Sequence, residues 1–183
     1  FNSGTGVRFL SDFTLEGNGV IRLAHVTTTS FVGGLAGVTA VGLGDGIRLE
    51  AIGRVQVPLT MHGEIAPGLD GVGSMSASSP VTLTGTSSFE AEVAGNLVSD
   101  QFASTSTFHA DGTLDVSFVD GFNPPLGWAA TIVTTGPNGV SGEFATVNAP
   151  QPTDSRLVFR VVYNANQIRV GAFCKADTNL DGS

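Results

Sequence analysis

The sequence predicts an all-β protein built from many short strands. Apolar and small polar residues alternate over short stretches, which is typical of strands with one buried face. Turn-forming residues separate these stretches at short intervals. No window combines a helical apolar spacing with an N-cap and a run of helix formers, so the expected helix content is low. At 183 residues the chain is long enough to bury the core of one domain.

The predicted strands follow one another along the chain. The clearest is 113–119, because Leu114, Val116 and Phe118 fall on one face of it. The predicted strands are 7–15, 20–28, 38–43, 47–59, 81–84, 89–93, 113–119, 130–134, 157–163 and 167–170. Turns are indicated at 16–19, 33–34, 44–46, 110–112, 120–121 and 137–139, where glycine clusters or adjoins Asn or Asp.

Two all-β architectures are compatible with this pattern. A parallel β-solenoid (β-helix) alternates inward aliphatic with outward small polar residues and places Gly, Asn and Asp at its corners. The glycine-rich first half, with runs such as 42–49, fits such corners better than hairpin turns. The predicted architecture is therefore a parallel β-solenoid, and a β-sandwich or jelly roll is the alternative.

Charge excludes two classes of partner. The chain has 8 basic against 16 acidic residues and a net charge of −8, so it lacks the basic surface that nucleic acids or anionic membranes require. No apolar run approaches the roughly 18 to 20 residues that span a bilayer, and membrane insertion is not expected. The single cysteine, Cys174, is either a buried free thiol or pairs with a cysteine elsewhere.

Few residues suggest chemistry. His25, His62 and His109 lie far apart and outside metal-type spacings, so they are interpreted as surface or turn residues. Glu90 and Glu92 share one face of a strand, where two carboxylates could act as acid and base or hold calcium, or could simply be solvated. No catalytic motif is present, and no catalytic residue is predicted.

Trp128 is the candidate for stacking on a sugar ring, since it follows the loop-like stretch 124–127. The alternative is that its ring packs over the end of a β core.

The final residues resemble the start of an EF-hand calcium loop. Asp177, Asn179 and Asp181 alternate with other residues, and Gly182 stands sixth. Three side-chain ligands hold calcium poorly, so no cofactor is expected in this chain and calcium is expected in the full-length protein. Because the chain begins at Phe1 rather than Met and ends inside this loop, both ends are expected to be cut from a longer secreted protein.

From about residue 88 to 170 the sequence resembles the C-terminal β-helical region of secreted autotransporter-like or adhesin-like bacterial surface proteins, planctomycete proteins among them. Six blocks in order carry the resemblance: 89–95, 99–102, 112–122, 125–134, 140–148 and 157–163. Residues 174–182 are similar to the start of a dockerin-type calcium repeat. Gly127 is followed by Trp128 where relatives usually have Asp, and the first 87 residues carry no such resemblance.

The resemblance implies a single β-solenoid domain at 1–172, with 88–172 as its C-terminal β cap and 173–183 as a truncated dockerin-like tail. It implies a secreted or cell-surface, non-enzymatic structural or adhesive protein that self-associates through solenoid ends or strand edges or contacts neighbouring domains. The alternative is a carbohydrate-binding or polysaccharide-lyase-type accessory domain, with a polysaccharide as partner.

Overall fold

The computed structural model describes residues 6–23, 31–34, 38–95, 98–137 and 139–176. Every helix or strand assigned within those ranges is a strand, so the all-β prediction is confirmed for them. None of the described residues belongs to a helix that could cross a bilayer. The strands form three sheets of eight, six and seven strands, which we call sheets 1, 2 and 3.

Most strands are short. In chain order they are β1 (Gly6–Phe9), β2 (Phe13–Leu15), β3 (Gly19–Leu23), β4 (Phe31–Gly34), β5 (Val41–Leu43), β6 (Ile47–Ala51), β7 (Arg54–Val55), β8 (Leu59–Met61), β9 (Glu64–Pro67), β10 (Ser74–Ala77), β11 (Val81–Leu83), β12 (Ser88–Gly95), β13 (Val98–Ser99), β14 (Gln101–Ser104), β15 (Phe108–Ala110), β16 (Thr113–Phe118), β17 (Ala129–Thr134), β18 (Val140–Gly142), β19 (Thr146–Asn148), β20 (Leu157–Asn164) and β21 (Gln167–Cys174).

The chain visits the three sheets in turn. Sheet 1 has the order β1-β4-β7-β10-β14-β17-β21-β20, and sheet 2 has the order β18-β15-β11-β8-β5-β2. Sheet 3 has the order β19-β16-β12-β9-β6-β3, and its seventh strand, β13, pairs antiparallel with β12 outside this order. We call one strand from each sheet, taken in chain order, a circuit; β1, β2 and β3 form the first circuit, and β17, β18 and β19 the last. Strands of successive circuits pair in parallel. A sandwich or jelly roll is built from antiparallel strands, so the alternative architecture does not match this pairing.

The core consists of rows of side chains that continue from circuit to circuit. On sheet 3 the parallel register aligns Leu49 with Ile65, Ile65 with Phe89, and Phe89 with Leu114. All four side chains are fully buried. Strand residues alternate in direction, so this row points inward and its sequence neighbours point outward. The row extends to Ile21 in the first circuit and Val147 in the last.

Aromatic rings from all three sheets meet inside the molecule. Phe102 of sheet 1 lies 5.2 Å, centroid to centroid, from Phe108 of sheet 2, which lies 5.9 Å from Phe89 of sheet 3. These tilted and edge-to-face contacts are the geometries that aromatic rings prefer. The three sheets therefore enclose one shared core.

Antiparallel pairing closes one end of sheet 1. β21 pairs with β17, and β20 pairs with β21 along its whole length. Phe118, Phe122, Trp128 and Phe159 form an aromatic cluster beside this hairpin. The last strand pair therefore differs in direction from the circuits that precede it.

Several predicted strands are wrong in length because the chain turns corners inside them. The predicted strand 47–59 is divided into β6, β7 and the first residue of β8, and 7–15 is divided into β1 and β2. Part of the predicted strand 20–28 lies outside the described residues, beyond Leu23. The alternation pattern did not predict several short strands, because each has few inward side chains. These strands are β4, β9, β10, β13, β14, β15, β18 and β19.

Candidate functional site

Sheet 3 carries charged side chains on its outward face. In β6, Leu49 is buried, whereas Arg48 and Glu50 on either side of it are partly exposed. Parallel pairing places Arg48 beside Glu64 of β9 and Glu50 beside Arg22 of β3. Charged residues that are distant in sequence are therefore neighbours on one surface.

Arg48 is the centre of an ion-pair network that crosses three circuits. Its guanidinium pairs with Glu64 and Glu90, and its Nη2 atom lies 3.5 Å from Glu50 Oε1. Partial burial lowers the pKa of the guanidinium, but the bonds to Glu64 and Glu90 more than offset this and leave the pKa raised. Arg48 therefore remains a cation wherever the protein is folded.

Arg22 extends the network to the first circuit. Its Nε donates to Glu50 Oε2 at 2.7 Å, and its Nη2 lies 3.0 Å from Asp70 Oδ1. The Arg22 and Asp70 side chains are largely exposed, so water and salt weaken this outer pair. Asp70 belongs to the segment 68–73, which joins β9 to β10 and which we call the 68–73 loop.

A cleft containing about 340 Å³ of space, part of it open to solvent, lies between this network and the 68–73 loop. Its lining is polar and mostly acidic, and consists of Arg48, Glu50, Ala66, Pro67, Gly68, Asp70, Gly71, Glu90, Glu92 and Asp100. The excess of carboxylates over guanidinium groups makes the local field negative, which disfavours anionic ligands. We take this cleft as the candidate functional site.

Asp100 is the most buried carboxylate in the cleft, with 2% of its surface exposed. Its Oδ1 accepts a hydrogen bond from the Gly73 N–H at 2.7 Å, and its Oδ2 accepts one from the Glu92 N–H at 2.8 Å. Burial raises the pKa of Asp100 to about 7, and the nearby charges of Glu92 and Glu90 act in the same direction. The two backbone bonds lower the pKa but do not cancel the effect of burial.

Glu90 and Glu92 share the outward face of β12, as their spacing indicates, and both line the cleft. Their environments differ, because Glu90 is paired with Arg48. Partial burial raises the pKa of Glu92, and the charge of Glu90 adds to this. Chemically, this arrangement can store a proton or attract a cation between carboxylates.

Two of the three histidines lie beside hydroxyl groups, His109 in β15 of sheet 2 and His62 directly after β8 of the same sheet. His62 Nδ1 lies 3.2 Å from Thr84 Oγ1, and His109 Nδ1 lies 3.1 Å from Ser141 Oγ. His25 lies outside the described residues. Within the described ranges, no cluster of three or more His, Cys, Asp or Glu side chains suits a metal ion.

Trp128 is packed in the aromatic cluster and is only 6% exposed. Its ring centroid lies 5.2 Å from that of Phe122 and 6.4 Å from that of Phe118. A ring that stacks on a sugar must present an open face, and these neighbours leave Trp128 none in this structure. The packing alternative describes its position better, although its indole N–H is buried without a hydrogen-bond partner among the described residues.

The predicted calcium ligands Asp177, Asn179 and Asp181 lie outside the described residues. Cys174 ends β21 and is a half-exposed thiol, so the fully buried thiol is not observed, and pairing with a cysteine elsewhere stays a prediction.

The sequence did not reveal that Asp100, Arg48 and Asp70 share a site with Glu90 and Glu92. Arg48 and Glu90 are 42 residues apart, and Gly73 and Asp100 are 27 apart. No local motif joins such residues; only the parallel register does. The one usable signal was the residue type of Asp100, since Asp is favoured where its carboxylate can accept backbone N–H bonds.

No protein-family model matches the chain, and no curated protein matches it.

Proposed function

We propose that this chain is part of an extracellular parallel β-solenoid that serves as a structural or adhesive surface protein rather than as an enzyme. The observation that carries the proposal is the unbroken stacking of circuits. Each strand of one circuit pairs with its counterpart in the next, and the inward row through Leu49, Ile65, Phe89 and Leu114 is continuous. A stack of this kind gains stability from contacts between neighbouring circuits, which suits a stalk or a coat.

The charged network supports the structural role. Arg48 links β6, β9 and β12, and Arg22 links β3 and β6 to the 68–73 loop. Each arginine therefore connects different circuits on the outward face, while the apolar rows connect them inside. Pairing occupies charges that a binding surface would otherwise present to a ligand.

The two ends of the stack differ, and this limits how it associates. At one end β1, β2 and β3 are the terminal strands of their sheets. At the other end the antiparallel β20–β21 hairpin covers β17. On sheet 1 a further parallel circuit fits only at the first end, so we propose that association with a neighbouring domain or second copy uses that end.

A secreted or cell-surface location and calcium binding by the dockerin-like residues belong to the same proposal. Both rest on the resemblance of residues 88–170 to surface proteins and of 174–182 to a dockerin-type repeat. The acidic composition, with a net charge of −8, is suitable for an extracellular surface.

A carbohydrate-active accessory domain is the second candidate, and the cleft on sheet 3 favours it. Glu90, Glu92 and Asp100 stand near the guanidinium of Arg48, which is a combination that acid–base chemistry on a sugar could use, whereas the negative field of the cleft disfavours a sugar that is itself acidic. Among the described residues, those that line the cleft include no aromatic side chain on which a sugar ring could stack. Because the cleft offers no ring for a sugar, we rank the structural proposal above the carbohydrate-active one.

Electron microscopy and a degradation assay together test the proposal. Negative-stain images of the purified chain should show short rods, paired rods or regular assemblies, and acidic polysaccharides such as polygalacturonate or alginate should keep their chain length. Depolymerisation that is lost in Glu92→Gln and retained in Asp115→Asn would instead establish the enzymatic candidate. Asp115 is a suitable control because it lies on the same sheet, outside the cleft lining, and accepts a bond from Asn148.

A further inference from the structure

The outward face of sheet 1 differs in charge from that of sheet 3. The strands β14, β17, β21 and β20 contain two arginines, Arg160 and Arg169, and no acidic residue. Asp100 stands just before β14, but its carboxylate accepts the Gly73 and Glu92 N–H bonds and lines the cleft on sheet 3. This end of sheet 1 is therefore locally basic, in a chain whose net charge is −8.

The two arginines lie on the same outward face. The antiparallel register pairs Arg160 of β20 with Gly171, which stands two residues after Arg169 in β21. Ile168 and Val170, on either side of Arg169, are fully buried, so Arg169 points away from the core. Arg160 and Arg169 are thus diagonal neighbours across the strand pair, a relation that places residues about 7–8 Å apart.

Neither guanidinium is neutralised within the described part of the chain. Arg22, Arg48 and Arg156 each form ion pairs, whereas Arg160 and Arg169 form none with the described residues. The Nε atom of Arg160 is buried and has no hydrogen-bond partner among these residues. Two neighbouring positive charges without a counter-charge create a positive potential that attracts an anion.

A groove lies beside Arg169 on this face. It contains about 640 Å³ of space, part of it open to solvent. Three adjacent strands of sheet 1, β14, β17 and β21, contribute to it, and the register places Thr131 of β17 directly beside Arg169. Its polar side chains are those of Ser99, Gln101, Thr131, Gln167 and Arg169. We call it the sheet 1 groove.

The side chains of the sheet 1 groove match the chemistry of an acidic sugar. A guanidinium binds a carboxylate through two parallel hydrogen bonds. The amides of Gln101 and Gln167 and the hydroxyl of Thr131 can donate and accept, as sugar hydroxyls do. Within the described residues these three side chains have no hydrogen bond to give up. Recognition through charge and hydrogen bonds does not require an aromatic ring, and the described lining contains none.

We propose that the sheet 1 groove, together with Arg160, binds a carboxylate-bearing polysaccharide. Nucleic acids match it less well, because two arginines are few for a backbone that carries a charge on every nucleotide. The acidic face of a second copy also matches it less well, since Arg22 and Arg48 already pair with carboxylates there. The proposal goes beyond the stacking of circuits and names a ligand for the adhesive form of the proposed function.

Calorimetric titration of the full chain with oligogalacturonate tests the groove. The methyl-esterified oligomer is the matched ligand, because it keeps the sugar backbone and lacks the charge; it should bind at least about tenfold more weakly. Arg169→Gln should weaken binding of the charged oligomer roughly tenfold or more, since it removes a charge-assisted pair. Arg156→Gln should leave the affinity nearly unchanged, because it removes the same charge from a residue outside the groove lining that is bonded to Asp154.

Two further variants cover the case in which Arg169→Gln does not fold. Arg160→Gln and Gln101→Ala should each weaken binding several-fold. Gln101 is exposed, so its truncation leaves the core intact.

Equal affinity for the charged and the esterified oligomer would overturn the proposal, as would full affinity in both Arg169→Gln and Arg160→Gln. Self-association that Arg169→Gln abolishes, without any binding of the oligomer, would instead assign these arginines to a contact between copies. Rods in electron micrographs without binding of the oligomer would refute the groove alone. Binding without rods would refute the stacking role alone.

Discussion

Single glycines determine where the backbone of one circuit can lie against the next. Gly112 occupies the corner between β15 and β16 with a φ of 72°. A Cβ atom there would lie 2.2 Å from the carbonyl oxygen of Ser87 at the corner of the preceding circuit. That same oxygen accepts the Thr113 N–H at 2.9 Å, so the close approach is part of the pairing between circuits.

Gly112→Ala should destabilise the fold by about 1–3 kcal/mol, because the new methyl group meets backbone and the φ angle is unfavourable for alanine. Gly85→Ala is the matched control; Gly85 is exposed, and its nearest contact to a new Cβ would be Asp111 Oδ2 at 3.8 Å. Urea unfolding should give nearly native stability for the control. Equal stabilities of the two variants would show that the corner can relax around a methyl group.

At the scale of the element, the strands differ in how many neighbours support them. β21 lies between β17 and β20, whereas β20 is the terminal strand of sheet 1. In an antiparallel pair alternate N–H groups point away from the partner, so β20 has amides that β21 cannot bond. The hairpin of β20 and β21 should therefore open first at β20, its outer strand.

Amides of β20 should exchange at least about tenfold faster, on average, than those of 167–171 in β21, because opening an edge strand breaks fewer contacts. Hydrogen exchange resolved by residue would measure this difference. β12, which lies between β9 and β16, supplies the slow reference within the same sample. Equal protection of β20 and β21 would mean that the hairpin opens as one unit with β17.

Strand length also decided how far the sequence could predict the fold. The predictions 113–119 and 157–163 nearly coincide with β16 and β20, because long strands show several cycles of alternation. β9 was missed since it ends in Pro67 and follows Gly63, a combination that indicates a turn. The sequence also showed that Glu90 and Glu92 share a face, but it could not add Arg48 or Asp100, which join them only through the pairing of circuits.

For the whole molecule, the distribution of charge makes stability depend on pH. In the described part of the chain, acidic residues crowd the outward face of sheet 3 and its surroundings, among them Glu50, Glu64, Asp70, Glu90, Glu92, Asp100 and Asp115. Burial raises the pKa values of Asp100 and Glu92. The folded state therefore binds more protons than the unfolded chain between the ordinary carboxyl pKa and about pH 7.

Thermal unfolding followed by circular dichroism should give a higher midpoint near pH 5 than near pH 8, since stability falls as pH rises through this window. Asp100→Asn should reduce the difference. Added salt should reduce only the part of this midpoint difference that comes from repulsion among surface carboxylates, because salt does not change the burial of Asp100. A midpoint that rises from pH 5 to pH 8 would contradict the raised pKa values of Asp100 and Glu92.

The unequal length of the circuits has a consequence for how such a molecule can vary. Paired residues are 16 positions apart between Arg48 and Glu64 but 33 apart between Asp115 and Asn148. Neighbouring strands nevertheless keep the usual separation of about 4.8 Å. The distance between neighbouring circuits is thus independent of the number of residues in each circuit, because the extra residues form loops at the corners of the stack. Insertions there can accumulate without shifting the inward rows, so descendants of one ancestor could keep this architecture after all recognisable similarity between their sequences has been lost.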